Sequence, residues 1–348
     1  MPAFGPTAIN YFENRADGGF AWTVAYDLSL LNNESLTTLR VDLVGDDPGA
    51  TANVWRNGAN AIWNNKAFFS DGTRLYEIKF DLQFVDSGAH HTVNVHAGTG
   101  GTNMTNWYLA NPSGWPDHMH DEIAAHEAGH MFGNFDEYAG GGTLGGFTTT
   151  GTLMSDLTLA GFERYFWTQE HYTEIHGGMS LSTVRGQTGT AAANVMTGGN
   201  GMDGFYALAG ADRISAGNGN DLLDGGAGKD RMTGGGGADI FDLDFAAETG
   251  NSSATRDVIT DFAHLVDDFD LSGMDASAVL AGNNAFVWRS TLAFTAGAPG
   301  QLRYQMVNAA GTANDKTIVY GDTDNDTASE FQIELAGLVK LSGVDFIV

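Results

Sequence analysis

Residues 198–242 consist of five successive units of nine residues: G-G-N-G-M-D-G-F-Y, A-L-A-G-A-D-R-I-S, A-G-N-G-N-D-L-L-D, G-G-A-G-K-D-R-M-T and G-G-G-G-A-D-I-F-D. Every unit has an aspartate at its sixth position, namely Asp203, Asp212, Asp221, Asp230 and Asp239. An apolar residue follows each aspartate two positions later: Phe205, Ile214, Leu223, Met232 and Phe241. A constant short period predicts a solenoid, because one unit alone cannot bury its apolar side chain. A flexible glycine-rich linker is the alternative, but it would not keep five aspartates in register.

This run resembles the RTX nonapeptide repeat, G-G-x-G-x-D-x-U-x, in which U is a large apolar residue. The resemblance implies a parallel β-roll whose glycine loops bind Ca²⁺, a hard cation that takes six to eight oxygen ligands. Two units would complete one coil, so Asp203, Asp221 and Asp239 should stack on one side. Asp212 and Asp230 should stack on the other side. All five aspartates are therefore predicted calcium ligands, and the site of the second unit, which lacks both leading glycines, should be the weakest.

A second motif lies upstream of the repeats, where residues 126–136 read H-E-A-G-H-M-F-G-N-F-D. His126 and His130 are four residues apart, so they would share one face of a helix and could reach one metal ion. Glu127 is placed to polarise a metal-bound water. Gly133 can end the helix with a positive φ. Asp136 would then arrive as a third ligand and leave the fourth zinc position open.

The motif is similar to that of the metzincin zinc peptidases, H-E-x-x-H-x-x-G-x-x-H/D, in the aspartate form found in snapalysins. The resemblance implies zinc bound by His126, His130 and Asp136, with Glu127 as the catalytic base. It also implies a methionine turn below the ligands, for which Met154 is the candidate. Astacins and serralysins have a tyrosine two residues after that methionine, whereas this chain has Asp156.

The region around the zinc motif shows strand and helix patterns. Strands are predicted over the segments 21–31, 40–44, 75–85, 92–96 and 106–110, and the last should be an edge strand that binds substrate. Residues 50–69 have helical spacing. Further helices are predicted over about 117–132 and 159–175. His90 and His91 fall in a predicted hairpin turn.

Composition limits the classes of function. The chain has 348 residues, 16 Lys and Arg against 43 Asp and Glu, and a net charge of −27. Such an excess of negative charge disfavours nucleic acid as a partner and favours cations. The chain has no cysteine, so no disulfide is expected. No run of 18 apolar residues occurs, so we expect no membrane span.

The two termini bear on export. The first residues, M-P-A-F-G-P-T-A-I-N, do not have the pattern of a Sec signal peptide. The last residues, L-S-G-V-D-F-I-V, resemble the uncleaved signal of type I secretion, which implies an extracellular protein of a Gram-negative bacterium exported by that machinery. A final β-strand is the structural interpretation of the same residues, and the two interpretations are compatible.

We therefore expect three regions: a zinc peptidase domain over residues 1–185, an RTX β-roll over 186–245, and a β-rich cap with the secretion signal over 246–348. Residues 195–348 resemble the C-terminal domain of serralysins. The predicted fold class is an α+β, metzincin-like catalytic domain followed by an all-β, calcium-binding parallel β-roll and β-sandwich. Asp322, Asp324 and Asp326 are spaced as in a metal loop, but glycine and glutamate are missing at the EF-hand positions, so a turn is expected.

The predicted function is a secreted, calcium-dependent zinc endopeptidase that acts on a protein or peptide substrate, with Zn²⁺ and Ca²⁺ as cofactors and as a monomer. Two alternatives come from other classes. One is a non-catalytic RTX surface or adhesion protein with a structural zinc, which would need a fourth protein ligand. The other is a hydrolase of narrow specificity that processes one protein partner.

Overall fold

The computed structural model describes residues 4–14, 21–31, 33–65, 67–99, 106–110, 128, 131, 182–281, 284–308, 314–324 and 326–348. The chain forms two compact units. The first comprises Met1–Asp71 and Tyr76–Arg185, and the second comprises Gly72–Leu75 and Gly186–Val348. In the described residues, no helix is both long and apolar enough to cross a membrane.

The first unit is built on a mixed sheet with one long helix. Its elements are β1 (Phe4–Asn14), β2 (Ala21–Leu31), β3 (Glu34–Gly45), α1 (Ala50–Trp63), β4 (Ala67–Ser70), β5 (Leu75–Phe84), β6 (His91–Thr99), β7 (Asn106–Ala110) and β8 (Ser182–Arg185). The order is β1-β2-β3-β5-β4-β8, and β6 pairs with both β3 and β7. Strands β3, β5, β6 and β7 are joined by parallel pairings, whereas β1, β2 and β3 form antiparallel pairs. Among the described strands, β7 pairs only with β6, so it is an edge strand there.

The core of the first unit lies between α1 and the sheet. Trp55, Ala59 and Trp63 recur every four residues on one face of α1 and are at most 2 % exposed. Trp55 packs edge-on against Trp107 of β7, with ring centroids 5.0 Å apart. This packing fixes the helix on the same sheet that carries the predicted edge strand.

The predicted strands of this unit agree with the observed ones, but the helical prediction for 50–69 is wrong at its end. The helix stops at Trp63, and residues 67–70 form β4. The reason lies in Asn64, whose side chain accepts a hydrogen bond from the amide of Phe80 at 2.6 Å and donates to its carbonyl at 3.1 Å. Asn65 then takes a left-handed φ of 58°, which turns the chain into β4. His91 also begins a strand rather than lying in a turn.

Two residues of the run from His126 to Asp136 belong to this core. Ala128 and Met131 are helical and fully buried, in the same apolar cluster as Trp107. The predicted ligands and base, His126, Glu127, His130 and Asp136, lie outside the described residues. So do Met154 and the predicted helix over 159–175.

The second unit starts as a two-sided roll. Its strands are β9 (Gln187–Thr190), β10 (Val195–Thr197), β11 (Gly204–Gly210), β12 (Arg213–Asn218), β13 (Leu222–Asp224), β14 (Ala227–Gly228), β15 (Arg231–Gly236), β16 (Ile240–Asp242), β17 (Asp257–Ile259) and β18 (Asp268–Asp270). Strands one coil apart pair in parallel, with Arg213 beside Arg231 and Leu222 beside Ile240. Two units therefore make one coil, as predicted.

The roll continues into the C-terminal region without a break in either sheet. The remaining strands are β19 (Val287–Trp288), β20 (Gln301–Val307), β21 (Lys316–Asp322), β22 (Phe331–Ala336) and β23 (Phe346–Ile347). One sheet has the order β10-β12-β15-β17-β22-β21-β20-β19, and the other runs β14-β11-β13-β16-β18-β23. The apolar residue of each repeat faces inward and is at most 2 % exposed. The mostly β architecture of this unit agrees with the predicted β-roll and β-sandwich.

Candidate metal centre

Two ladders of aspartates run along the roll, one at each row of turns. In the first, the amide of Asp203 donates to Oδ1 of Asp221 at 2.8 Å, and the amide of Asp221 donates to Oδ1 of Asp239 at 3.0 Å. In the second, the amide of Asp212 donates to Oδ1 of Asp230 at 2.7 Å. The predicted division of the five aspartates between two stacks is therefore confirmed.

Two aspartates of each ladder keep one carboxylate oxygen without a hydrogen bond from the described residues. Oδ2 of Asp212, Asp221, Asp230 and Asp239 is buried and receives no hydrogen bond from any described residue, and the four residues are 1 % exposed. A buried carboxylate oxygen without a partner costs free energy, so its presence calls for a ligand. Asp203 differs, because its Oδ2 accepts the amide of Gly199 at 2.7 Å.

The free oxygens of Asp230 and Asp239 point back to the glycine loops of their own units. A Cβ added to Gly225 would lie 2.8 Å from Oδ2 of Asp230, and one added to Gly234 would lie 2.2 Å from Oδ2 of Asp239. The first glycine of the unit is thus needed to leave room beside the carboxylate. A loop of bare backbone next to an unpaired carboxylate offers the oxygen ligands that Ca²⁺ prefers.

From the second unit onward, the second and fourth positions of each unit have left-handed backbone. Gly217 and Gly235 have φ values of 110° and 106°, and Gly219 and Gly237 have values of 146° and 143°. The second unit has Leu208 at the corresponding position, with a φ of 74°. A leucine with this φ is strained. The weaker calcium binding of this unit stays a prediction.

Burial perturbs the acidity of the ladder aspartates. The pKa of Asp221 and of Asp230 is raised to about 7, mainly by burial and also by the neighbouring carboxylates of each ladder. Burial likewise raises the pKa of Asp239 to about 6. A cation beside these groups would oppose the effect of burial, because it favours the charged carboxylate.

The ladders extend beyond the five units that the sequence pattern identified. The amide of Asp230 donates to Oδ1 of Asp257 at 2.7 Å, and that of Asp239 donates to Oδ1 of Asp267 at 3.1 Å. At the other end, Asn194 donates its amide to Asp212. Burial raises the pKa of Asp257 to about 8. A signal existed in the sequence, since Ile259 and Phe269 follow these aspartates two positions later, as in the repeats.

A separate acidic group lies at the end of β21. Carboxylate oxygens of Asp322, Asp324 and Glu330 lie within 4.8 Å of one another. The loop itself satisfies them: the amides of Asp324 and Asp326 donate to the aspartates two residues earlier, and the amide of Thr323 donates to Glu330 at 2.6 Å. Gln301 donates to the second oxygen of Asp322 at 3.2 Å. These bonds are those of successive turns, in agreement with the predicted turn.

Comparison with known proteins gives one matching family and a set of similar solved structures. Residues 188–214 and 206–241 match the RTX calcium-binding nonapeptide repeat. No curated protein matches the chain. The AlgE6R3 and AlgE6R2 subunits of the mannuronan C5-epimerase of Azotobacter vinelandii are similar at 26 % and 28 % identity, over 45 % and 47 % of this chain and 80 % and 91 % of theirs. The TM-score is 0.33 for both. The chain thus carries RTX calcium-binding repeats, which are typical of proteins secreted by type I systems.

Proposed function

We propose that the chain is a secreted, calcium-dependent zinc endopeptidase. The observation that carries the proposal is the run from His126 to Asp136, which supplies two imidazoles, a carboxylate base and a third ligand at metzincin spacing. The RTX repeats supply the calcium dependence and the expectation of type I secretion. Peptidase activity and zinc binding are the proposed part, and calcium binding is the part that the repeat family supports.

Burial at two described positions of the motif supports a helical arrangement. Ala128 and Met131 are three residues apart and both face the core of the first unit. On a helical wheel, positions 126 and 130 fall on the side opposite to positions 128 and 131. A helix that buries the latter pair is therefore expected to present the two imidazoles away from the core.

The edge strand β7 supports the same function. Among the described strands it pairs only with β6, through Asn94 and Asn106, Val95 and Trp107, and His96 and Tyr108. An edge strand can bind an extended peptide by adding it to the sheet, so specificity would come from alternate side chains of the substrate. Trp107 anchors the strand from below, where it is 1 % exposed.

Each proposed catalytic residue has a separate chemical task. His126, His130 and Asp136 would hold zinc, and Met154 would lie under them. Bound zinc would supply a Lewis acid for the scissile carbonyl. Glu127 would accept the proton of the attacking water and deliver it to the leaving amine. Asp136 brings a negative charge that a histidine would not, which should make the metal a weaker Lewis acid.

Digestion of unfolded casein by the full chain tests the proposal. Wild type should cleave casein when zinc and calcium are present. Glu127→Gln should lose activity by several orders of magnitude but keep its zinc. Mass spectrometry of the intact protein measures the bound zinc. Glu122→Gln removes a charge from the same segment and should retain activity. Zinc-loaded wild type that leaves casein intact at saturating calcium, or an active Glu127→Gln variant, would refute the catalytic assignment.

A further inference from the structure

One sheet of the second unit has the order β10-β12-β15-β17-β22-β21-β20-β19. Its outward face carries several of the arginines and lysines of this acidic chain. Neighbouring strands place side chains in rows across that face. One row, which follows the pairings of β10, β12, β15, β17, β22, β21 and β20, contains Val195, Arg213, Arg231, Val258, Glu334, Ile318 and Gln305. On six of these strands the next residue along the chain faces inward and belongs to the core: Met196, Ile214, Met232, Ile259, Leu335 and Val319.

Two arginines of this row have no carboxylate partner among the residues that the structure describes. Arg213 and Arg231 are direct neighbours in register and are both exposed. Neither forms an ion pair or a side-chain hydrogen bond with any described residue. Like charges directly opposite each other on adjacent strands are destabilising, so the pair persists at a cost.

A second arginine pair lies at the far edge of the same face. The amide of Arg289 donates to the carbonyl of Leu302 at 2.7 Å, which sets Arg289 beside Arg303. In the described part of the chain, neither guanidinium contacts a carboxylate, and Nε of both is buried without a hydrogen-bond partner. Arg303 lies 4.8 Å from the ring of Tyr320, which holds the guanidinium plane against an aromatic surface.

At the centre of the face, a carboxylate neutralises the nearby cations. Glu334 lies between Arg256 and Lys316, and both cations pair with it. Asp322 also belongs to this face, but it is fully buried and bound by Gln301. Arg289 donates a hydrogen bond to the hydroxyl of Thr295 at 2.8 Å, but none of the four arginines has a carboxylate partner among the described residues. They lie on both sides of a neutralised centre and can bind external anions.

Hydroxyl groups accompany the arginines. Thr197, Ser215 and Thr233 form an adjacent outward row, and Thr233 shares a 2.7 Å hydrogen bond with Thr260. Hydroxyls, guanidinium groups and the half-buried ring of Tyr320 on one sheet face match the chemistry of a sugar chain that bears acidic groups. Guanidinium groups bind carboxylate or sulfate in a bidentate manner.

We propose that this face binds an acidic polysaccharide, with Arg213 and Arg231 at one end of the site and Arg289 and Arg303 at the other. Strands β12 and β19 are six strand spacings apart, roughly 29 Å, so one ligand chain of several sugars would span both pairs. A glycan fits better than nucleic acid, because a net charge of −27 repels a dense row of phosphates. The proposal is independent of the peptidase activity proposed above.

Isothermal titration of the full chain at saturating calcium tests the site. The probe is a hyaluronan oligomer, whose acidic groups are carboxylates, and a chondroitin sulfate oligomer distinguishes sulfate as the source of charge. Binding should weaken with added salt and with shorter oligomers. Arg213→Gln with Arg231→Gln, and Arg289→Gln with Arg303→Gln, should each weaken binding about tenfold, because each removes bidentate, charge-assisted contacts.

The matched control removes two charges elsewhere, by Arg56→Gln with Lys340→Gln, and should bind within about twofold of wild type. Circular dichroism of each variant confirms that it is folded before titration. Neutral maltohexaose should not bind. A further variant replaces all four arginines by glutamine. The proposal fails if this variant binds hyaluronan and chondroitin sulfate as wild type does. It also fails if maltohexaose binds equally well, or if single-stranded DNA binds more tightly than either acidic glycan.

Discussion

The amide of Asp212 donates to Oδ1 of Asp230 at 2.7 Å, while Oδ2 of Asp230 receives no hydrogen bond from any described residue. One carboxylate thus holds two coils together with one oxygen and faces a glycine loop with the other. Folding of the roll buries the carboxylate, and a cation is needed to offset the cost of that burial. The same side chain therefore couples folding to calcium binding.

Replacement of Asp230 by Asn should weaken calcium binding without loss of the ladder. The amide oxygen of Asn can still accept the amide of Asp212, but the negative charge toward the loop is lost. We expect the calcium concentration at half-saturation to rise by about tenfold or more, since ligand charge sets affinity in such sites. Calcium titration of the full chain, followed by circular dichroism, measures this change.

Asp326→Asn is the matched control, because Asp326 is an exposed aspartate of the same unit outside both ladders. Its calcium titration should superimpose on that of wild type. A normal titration of Asp230→Asn would show that Oδ2 is not a calcium ligand. Equal losses in both variants would instead point to a general effect of net charge.

Calcium affinity should increase with pH. The pKa values of Asp221 and Asp230 are about 7 in the calcium-free fold, far above the value of about 3.9 in an unfolded chain. The calcium-free roll therefore holds protons that the unfolded chain releases, so these two groups stabilise the roll most below about pH 4, and their contribution is lost as the pH rises through about 7. Calcium competes with those protons, so the calcium concentration at half-saturation should fall by more than about tenfold from about pH 5 to about pH 8.

Two measurements separate the effect of protons on stability from the effect of calcium. Thermal unfolding in chelator should give a lower midpoint at about pH 8 than at about pH 5. Unfolding at saturating calcium should give the opposite order. A calcium-free roll that becomes more stable as the pH rises would contradict the assignment of buried, protonated carboxylates.

The regular spacing of glycine and aspartate made the repeats predictable from the sequence. Interruptions of that spacing explain why the later rungs of the ladders were not predicted. Asp203 to Asp239 recur every nine residues, so their two stacks followed from sequence alone. Asp257 and Asp267 occupy the next rungs, but they come 27 and 28 residues after their partners instead of 18. Loops inserted between the strands hide the period, although the local D-x-U pattern remains. The early end of α1 was missed for another reason, since it depends on a tertiary contact of Asn64 with Phe80.

Gly235→Ala tests whether the close approach of neighbouring coils contributes to stability. A Cβ at Gly235 would lie 1.8 Å from the carbonyl oxygen of Gly217, and the residue has a φ of 106°. The clash and the left-handed backbone together should lower the free energy of unfolding by about 3 kcal/mol or more. Chemical denaturation at saturating calcium measures the loss.

Gly297→Ala provides the control for backbone strain alone. Gly297 has a φ of 77°, but a Cβ there would meet nothing within 4 Å. Its replacement should cost about 1 kcal/mol. If the two variants lose the same free energy, the close approach of the coils does not contribute, and only the φ requirement explains the glycine period.

The C-terminal residues that resemble a secretion signal are also part of the folded core. Asp345 is fully buried and accepts hydrogen bonds from the amides of Ser342 and Leu265 at 2.6 and 3.1 Å, and from His264 at 2.7 Å. Phe346 stacks on Phe269, with ring centroids 5.2 Å apart. The predicted final strand is therefore observed as β23, and the role in secretion stays a prediction.

Asp345→Asn should accordingly destabilise the purified, refolded chain, whatever its effect on export. The variant keeps one acceptor oxygen but turns an NH₂ group toward donors, so we expect a loss of about 2–3 kcal/mol in the free energy of unfolding at saturating calcium. Val344→Ala changes the adjacent residue, which is 70 % exposed, and should leave stability within about 0.5 kcal/mol of wild type. If Asp345→Asn unfolds like wild type, the bonds to Ser342 and Leu265 do not stabilise the end of the chain. A variant that folds normally yet is not exported would assign Asp345 to the signal alone.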